Sequence, residues 1–77
     1  MFGMSMLGRL KYLFNEGFDV CSIMGYDAER ETEFGEGKIL YRIQQPEGKW
    51  TLCTESFDVS YEEMKACASL YLSHVMR

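Results

Sequence analysis

Apolar residues recur every three or four positions in the two end segments of the chain, a period typical of amphipathic helices. Near the N-terminus this spacing connects Met6, Leu7, Leu10, Leu13 and Phe14. Near the C-terminus it connects Met64, Cys67, Ala68, Tyr71 and Val75. The pattern predicts an N-terminal helix over residues 5–15 and a C-terminal helix over residues 61–75.

Residues suited to helix ends support both helices. Ser60 and Glu63 have the spacing of a capping box, in which each side chain accepts a hydrogen bond from the backbone N–H of the other residue. Ser5 is in position to cap the N-terminal helix, and Gly17 can adopt the left-handed conformation that ends it. Gly8 costs that helix about 1 kcal/mol relative to alanine, so the C-terminal helix has the stronger signal.

The segments between the helices contain β-branched and aromatic side chains and alternate apolar with polar positions, as strands do. The predicted strands are residues 18–24, 38–44 and 49–57. QPEG, residues 45–48, is predicted to be a turn, because Pro46 presets the backbone angle at its second position and Gly48 closes it. The last two strands therefore form a β-hairpin.

The length of the chain, 77 residues, leaves room for one hydrophobic core. Its apolar share of 47% argues against disorder. We therefore predict a single α+β domain over residues 1–77. A small antiparallel sheet of three or four strands is flanked by an N-terminal and a C-terminal helix, in the order α-β-β-β-α.

The most polar stretch, GYDAERETEFGEGK, is called the acidic segment below and spans residues 25–38. Its carboxylates at positions 27, 29, 31 and 33 fall on every second residue. In a helix they would lie at the repulsive i, i+4 spacing, whereas in an extended chain they all project from one face. We expect an extended loop that can pair as a strand, followed by a turn at GEG, residues 35–37.

The acidic segment holds five acidic and two basic side chains, which is −3 of the net charge of −4. One interpretation is a solvated edge strand whose charges prevent aggregation. The other is a binding surface that presents carboxylates to a basic partner, with an aromatic anchor at each end. A calcium site is a third interpretation, although the segment lacks the mid-loop glycine and terminal glutamate of an EF-hand. The predicted partner-binding residues are Tyr26, Asp27, Glu29, Glu31, Glu33, Phe34 and Glu36.

The cysteines Cys21, Cys53 and Cys67 are widely spaced and form no CxxC pair. Each lies among apolar neighbours, so we expect reduced thiols with at least two of them buried. One disulfide with a free thiol is the alternative. The sequence shows no export signal, and its longest uncharged run has 11 residues, against about 20 for a membrane span. A soluble cytoplasmic protein is expected.

Catalytic motifs are missing from the sequence, which has no phosphate-binding glycine loop, no HExxH and no GxSxG. The single histidine, His74, has only Cys67 at a suitable helical spacing. A packed thiol and a surface imidazole are the expectation there, and a thiolate nucleophile with its base is the alternative. We therefore predict no enzyme activity, no catalytic residue, no metal site and no cofactor.

Nucleic-acid binding is disfavoured because the chain is acidic and its eight basic residues are dispersed. The hairpin does offer Arg42, Lys49 and Trp50 for contact with a phosphate backbone and a base, although we expect Trp50 in the core. Arg9 and Lys11 lie opposite the apolar face of the N-terminal helix. That face is expected to meet the core, and a membrane surface or a second copy is the alternative.

The function expected from these features is that of a small acidic protein-binding module, a regulator or inhibitor whose acidic segment engages a basic surface. Small acidic inhibitors encoded by phages and other mobile elements share this size and charge. Some of them occupy the basic nucleic-acid-binding groove of a host defence or transcription protein. The comparison is an analogy between classes of protein and rests on no sequence motif. The alternatives are a structural subunit of a homo- or hetero-oligomer, including a homodimer, and a nucleic-acid-binding domain that uses the 38–57 hairpin.

Overall fold

The computed structural model describes residues 4–25 and 34–76, which form two helices and three strands. Their bounds are α1 Met6–Asn15, β1 Asp19–Gly25, β2 Gly35–Gln44, β3 Trp50–Val59 and α2 Tyr61–Val75. The predicted α+β fold with the order α-β-β-β-α is confirmed. Both helices match their predicted bounds to within one residue, because residues at their ends encode the caps locally.

The three strands form one antiparallel sheet in the order β1-β2-β3, with β2 in the centre. β2 and β3 pair along the full ten residues of both strands. The predicted turn closes this hairpin, since Gly48 has a φ of 96° and its N–H donates to the Gln45 carbonyl at 2.8 Å. The pairing of β1 with β2 is less regular, with a bulge between Val20 and Ser22.

The ends of the helices are capped by nearby side chains and by a glycine. Ser5 and Ser60 each accept a hydrogen bond from the N–H three residues further on, at 3.0 and 3.1 Å. Gly17 follows α1 with a φ of 81°. Glu63 was predicted to cap its own helix, but its carboxylate instead accepts a hydrogen bond from the N–H of Leu7 in α1, at 3.1 Å. This contact satisfies a backbone donor that α1 itself leaves without a partner.

Both helices cover the same face of the sheet, and the core lies between them and the strands. α1 contributes Met6, Leu10 and Leu13, whose side chains are fully buried. The other buried residues of the core are Val20, Ile39, Tyr41, Val59 and Cys67. α2 packs against α1 and the outer strand β1. Because alternate residues of a strand point to opposite faces, covering one face leaves the other to solvent.

β2 begins three residues earlier than predicted, so the expected turn at residues 35–37 is wrong. All three residues pair with β3 as part of the ladder. Gly37 is buried beneath α1, and a Cβ atom at this position would lie 2.5 Å from Sδ of Met6. The absence of a side chain at Gly37 therefore permits the close approach of α1 to the sheet.

Trp50 and two of the thiols are more exposed than predicted. Trp50 is 48% exposed instead of lying in the core, because it projects from the uncovered face of the sheet. All three cysteines are free: Cys67 is buried, Cys53 is partly buried and Cys21 is exposed. The expectation of at least two buried thiols is therefore wrong. Cys21 is the extra residue of the β1 bulge, which turns its side chain away from the core.

Candidate functional site

The face of the sheet opposite the helices is exposed, and the strand register shows which side chains it carries. Residues that pair directly across an antiparallel ladder share a face, as Ser22, Leu40 and Thr54 do. Within residues 4–25 and 34–76, both helices pack on the other side. We call this surface the open face, and its residues are Asp19, Ser22, Met24, Glu36, Lys38, Leu40, Arg42, Gln44, Trp50, Leu52, Thr54, Ser56 and Asp58.

Four apolar side chains lie at neighbouring positions of the open face. Leu40 is partly buried in the central strand, while Met24 is 50%, Trp50 48% and Leu52 61% exposed. Met24 and Leu52 lie diagonally across from Leu40 on the two outer strands, and Trp50 is two residues from Leu52. We call these four residues the open-face patch. Exposed apolar side chains grouped on one face of a small protein are typical of an interaction surface.

Arg42 borders the patch and is held in place by two neighbours. Its guanidinium carbon lies 4.4 Å from the centroid of the Trp50 ring, a cation–π contact. Its Nε donates a hydrogen bond to the carboxylate of Asp19, which lies directly opposite on β1. This hydrogen bond raises the pKa of Arg42. One side of the Trp50 ring is therefore covered, and Asp19 balances the charge of Arg42.

The open face is bordered by two solvent-open grooves. One, with a volume of about 310 Å³, lies between residues 17–19 and the pair formed by Arg42 and Trp50. The other, with a volume of about 260 Å³, is lined by Met24, Gly25, Glu36 and Lys38. The grooves lie towards opposite ends of the sheet, so they extend the open-face patch in both directions along the strands.

The structure locates two of the seven predicted partner-binding residues. Phe34 immediately precedes β2 and is 71% exposed. Glu36 lies on the open face, with its carboxylate 4.0 Å from Nζ of Lys38. The other five lie outside the described residues, and these are Tyr26, Asp27, Glu29, Glu31 and Glu33. The binding role of the acidic segment stays a prediction, and the structure adds that the segment joins the sheet beside Met24.

The predicted partner-binding residues did not include Met24, Leu40, Trp50 or Leu52, and Trp50 was considered only as a base contact in the alternative nucleic-acid function. A usable signal was present, because 49–57 carries apolar residues on both of its alternating faces. Two helices that pack side by side can cover only one face of a three-stranded sheet. The apolar residues of the other face must then either meet a partner or stay in solvent.

A polar cluster lies on the covered face of the sheet, beneath α1. Arg9 donates two hydrogen bonds to the Glu55 carboxylate, both at 2.8 Å, and the Tyr41 hydroxyl donates a third. The hydrogen bonds from Arg9 are the main cause of a lowered Glu55 pKa, and the hydrogen bond to Glu55 raises the Tyr41 pKa. The polar groups of these three side chains are hydrogen-bonded to one another. The cluster therefore holds α1 against the sheet and leaves no free group for proton transfer among its members.

Cys67 and His74 have separate surroundings. Burial raises the pKa of the Cys67 thiol to about 11, so the thiol is protonated at neutral pH. The His74 ring is partly buried and stacks on Phe14, with the ring centroids 3.8 Å apart and the planes 14° from parallel. The expectation of a surface imidazole is corrected accordingly. Across the described part of the chain, no three His, Cys, Asp or Glu side chains are grouped to hold a metal ion.

Comparison with known proteins gives no relative, since no family model, no curated protein and no solved structure matches the chain. Among the described residues, no helix is both long and apolar enough to cross a membrane. The function is therefore argued from the chemistry of the open face and of the acidic segment that adjoins it.

Proposed function

We propose that the protein is a binding module for another protein, acting as a regulator or inhibitor, and that it docks through the open face and the acidic segment. The observation that carries this proposal is the open-face patch. A chain of 77 residues has few apolar side chains to spare from its own core. Leaving Trp50 and Leu52 in solvent nevertheless reduces the stability available from burial, and binding of a partner recovers it. Trp50 beside Arg42 also has the composition of an interface hot spot.

The charge of the acidic segment favours a partner that is basic next to its apolar contact surface. Gly25 is the last residue of β1 and Gly35 is the first residue of β2, so the part of the segment between these strands is tethered to the Met24 end of the open face. Charges at the margin of an interface chiefly increase the rate of association. In this arrangement the open-face patch slows dissociation of the complex, and the acidic segment speeds association.

The open face favours a protein over a nucleic acid as the partner. It carries three acidic side chains, Asp19, Glu36 and Asp58, and only two basic ones. Binding to a phosphate backbone depends on a net positive surface. Arg42 is already paired with Asp19 and covers one side of Trp50, the ring that would have to stack on a base.

We place the protein in the cytoplasm. Its three thiols are free and that of Cys21 is exposed, which suits a reducing compartment. Within this proposal, small acidic inhibitors encoded by phages and other mobile elements are the functional class that shares its size and charge.

The acidic segment is tested by combining Glu29→Gln, Glu31→Gln and Glu33→Gln, which deletes three charges and keeps side-chain size. A partner captured from a lysate of the producing cells is expected to associate more slowly with this variant at low salt, with a flatter salt dependence. The variant melts no lower than wild type, because repulsion among the carboxylates is relieved. Surface plasmon resonance over a salt series and thermal melting provide the two readouts.

A matched control for the triple variant deletes the same charge elsewhere. Glu16, Glu47 and Glu62 are exposed and lie outside the acidic segment, so their combined change to Gln is expected to affect association less. If the association rate changes neither in the triple variant nor with salt concentration, the carboxylates of the acidic segment serve only to keep the segment solvated.

The open-face patch is tested separately with Leu52→Ala. Because Leu52 is 61% exposed, the free energy of unfolding is expected to change by no more than about 0.5 kcal/mol. Affinity for the captured partner falls at least about tenfold, mainly through faster dissociation. Thr54→Ala, on the same strand and face, serves as the control. A Leu52→Ala variant with wild-type affinity would exclude the open face as the docking surface.

A further inference from the structure

The two edges of the sheet are protected to different degrees. The β1 edge is seven residues long and contains the bulge at Cys21. The carbonyl of Cys21 also accepts a hydrogen bond from the Tyr71 hydroxyl of α2, at 3.0 Å. Bulges and covering elements are devices by which proteins prevent a sheet edge from pairing with another chain. The β1 edge is therefore blocked.

Within residues 4–25 and 34–76, β3 forms the other edge of the sheet and has neither a bulge nor a covering element. It is ten residues long, pairs with β2 without a register shift, and contains no lysine, proline or glycine. An inward-pointing charge can also block an edge, but the inward-pointing Glu55 is already neutralised by Arg9. β3 is thus a long, regular strand whose outer backbone groups are suited to pairing with another strand.

We propose that β3 pairs with β3 of a second copy of the chain, antiparallel about a two-fold axis at Thr54, to form a six-stranded sheet in a homodimer. In this register Thr54 lies opposite Thr54 of the second copy, and Leu52 lies opposite Ser56 of the second copy. The ladder spans residues 50–58 and opposes no two like charges. This inference does not rest on the proposed function, because strand pairing depends on the outer backbone groups of β3 and not on the open-face side chains that the strand also carries.

Ladder length and the absence of like-charge pairs favour the register at Thr54. Trp50 lies opposite Asp58 of the second copy and Cys53 lies opposite Glu55, so each carboxylate faces an uncharged side chain. Directly opposed side chains on antiparallel strands have Cβ atoms about 5 Å apart, and like charges at such positions destabilise a strand pair. The ladder also uses nine of the ten residues of β3.

Other registers of the same strand pair less well. An axis at Glu55 places two carboxylates directly opposite each other, which is destabilising. Axes at Leu52 or Cys53 shorten the ladder to residues 50–54 or 50–56. A register shifted by one residue sets the covered face of one copy beside the open face of the other, since side chains alternate with a period of two.

Thr54→Lys tests the dimer, because it places two lysines opposite each other at the axis while the side chain of a single copy points to solvent. In sedimentation equilibrium, wild type is expected at twice its 9.0 kDa chain mass. The variant is expected to raise the dissociation constant of the dimer at least about tenfold. Asn15→Lys makes the same charge change at an exposed position of α1 and is expected to leave the dimer intact. A wild type that is monomeric at millimolar concentration overturns the proposal and leaves the β3 edge to a strand of another protein.

A cross-linking pair tests the register and does not depend on how well the lysine variant folds. In a Cys21→Ser background, Thr54→Cys places two thiols opposite each other, at the Cα separation of about 4.5–5.5 Å that a disulfide accepts. Mild oxidation is expected to give a covalent dimer on a non-reducing gel. Ser56→Cys in the same background faces Leu52 of the second copy and is expected to remain uncross-linked. Equal cross-linking of the two variants, or none for Thr54→Cys, overturns the register.

Discussion

At the scale of single residues, Glu55 shows how this fold places a charge on its covered face. The side chain points inward from β3, where a carboxylate without partners would be costly. It accepts two hydrogen bonds from Arg9 and one from the Tyr41 hydroxyl, and it remains 30% exposed. The three groups belong to α1, β2 and β3, so one carboxylate fixes the position of a helix across two strands.

The Glu55 cluster makes stability depend on pH. The folded-state pKa of Glu55 lies below its ordinary value of 4.5 because of the hydrogen bonds from Arg9. Its ionised form therefore stabilises the fold above that value, and the contribution is lost as the pH falls through the lowered pKa. Glu55→Gln is expected to reduce the free energy of unfolding at neutral pH by about 1–3 kcal/mol. Urea unfolding at neutral pH and at acid pH should show the difference from wild type shrinking on acidification.

Glu47→Gln is the control for the pH experiment, because Glu47 is exposed in the turn between β2 and β3. Its stability curve should follow that of wild type across the same range. If the Glu55→Gln and wild-type curves run parallel down to acid pH, the cluster does not supply the predicted acid dependence.

At the scale of secondary-structure elements, the start of α2 also holds the start of α1. Ser60 caps α2 locally, and Glu63 is left to accept the N–H of Leu7 in the first turn of α1. The first N–H groups of any helix lack partners within it, and a carboxylate there also interacts favourably with the helix dipole. The two helices therefore stabilise each other through a polar contact as well as through the core.

Glu63→Ala tests this contact between elements, and Glu62→Ala is its matched control. The two residues are neighbours in the first turn of α2, but Glu62 is exposed and its carboxylate forms an ion pair with Lys65, at 3.5 Å. We expect Glu63→Ala to lower the free energy of unfolding by about 1–2 kcal/mol more than Glu62→Ala does. Urea unfolding measures that difference, and amide hydrogen exchange should show faster exchange at Leu7. Equal losses from the two variants would mean that only the dipole of α2 is affected.

At the scale of the whole molecule, the described part of the chain is a sheet with both helices on the same side. Eight of the described residues form its buried core, three of them from α1. The open face remains beyond the reach of both helices, and the chain's single tryptophan lies there. An intrinsic fluorophore therefore reports on the uncovered side of the molecule.

The emission of Trp50 is expected to be that of a solvated indole in the folded state. Acrylamide should quench it efficiently, and unfolding should shift its maximum only slightly, because 48% of the residue is already exposed. Arg42→Ala uncovers the second side of the ring and should increase quenching further. A blue-shifted native spectrum that acrylamide fails to quench would show that the open face is covered.

Much of the fold follows from short-range signals in the sequence. Ser60 and Gly17 mark helix ends, Pro46 and Gly48 mark the hairpin turn, and alternation marks the strands. Each of these signals acts through the backbone of a few adjacent residues, so it needs no knowledge of distant parts of the chain. Local chemistry determined the order of elements and most of their bounds.

The tertiary structure alone decided the details that depend on which elements meet. The sequence predicts Gly37 to be a turn residue, whereas in the structure it lies in β2 directly beneath α1. The sequence predicts Glu63 to cap its own helix, whereas its carboxylate accepts a hydrogen bond from the N–H of Leu7. The sequence predicts Trp50 to lie in the core, whereas the structure exposes it because both helices pack on the opposite face of the sheet. The open-face patch, which is the proposed site, can therefore be recognised only once the positions of the helices are known. A strand's sequence specifies two alternating faces, and only packing at long range selects which of the two is buried.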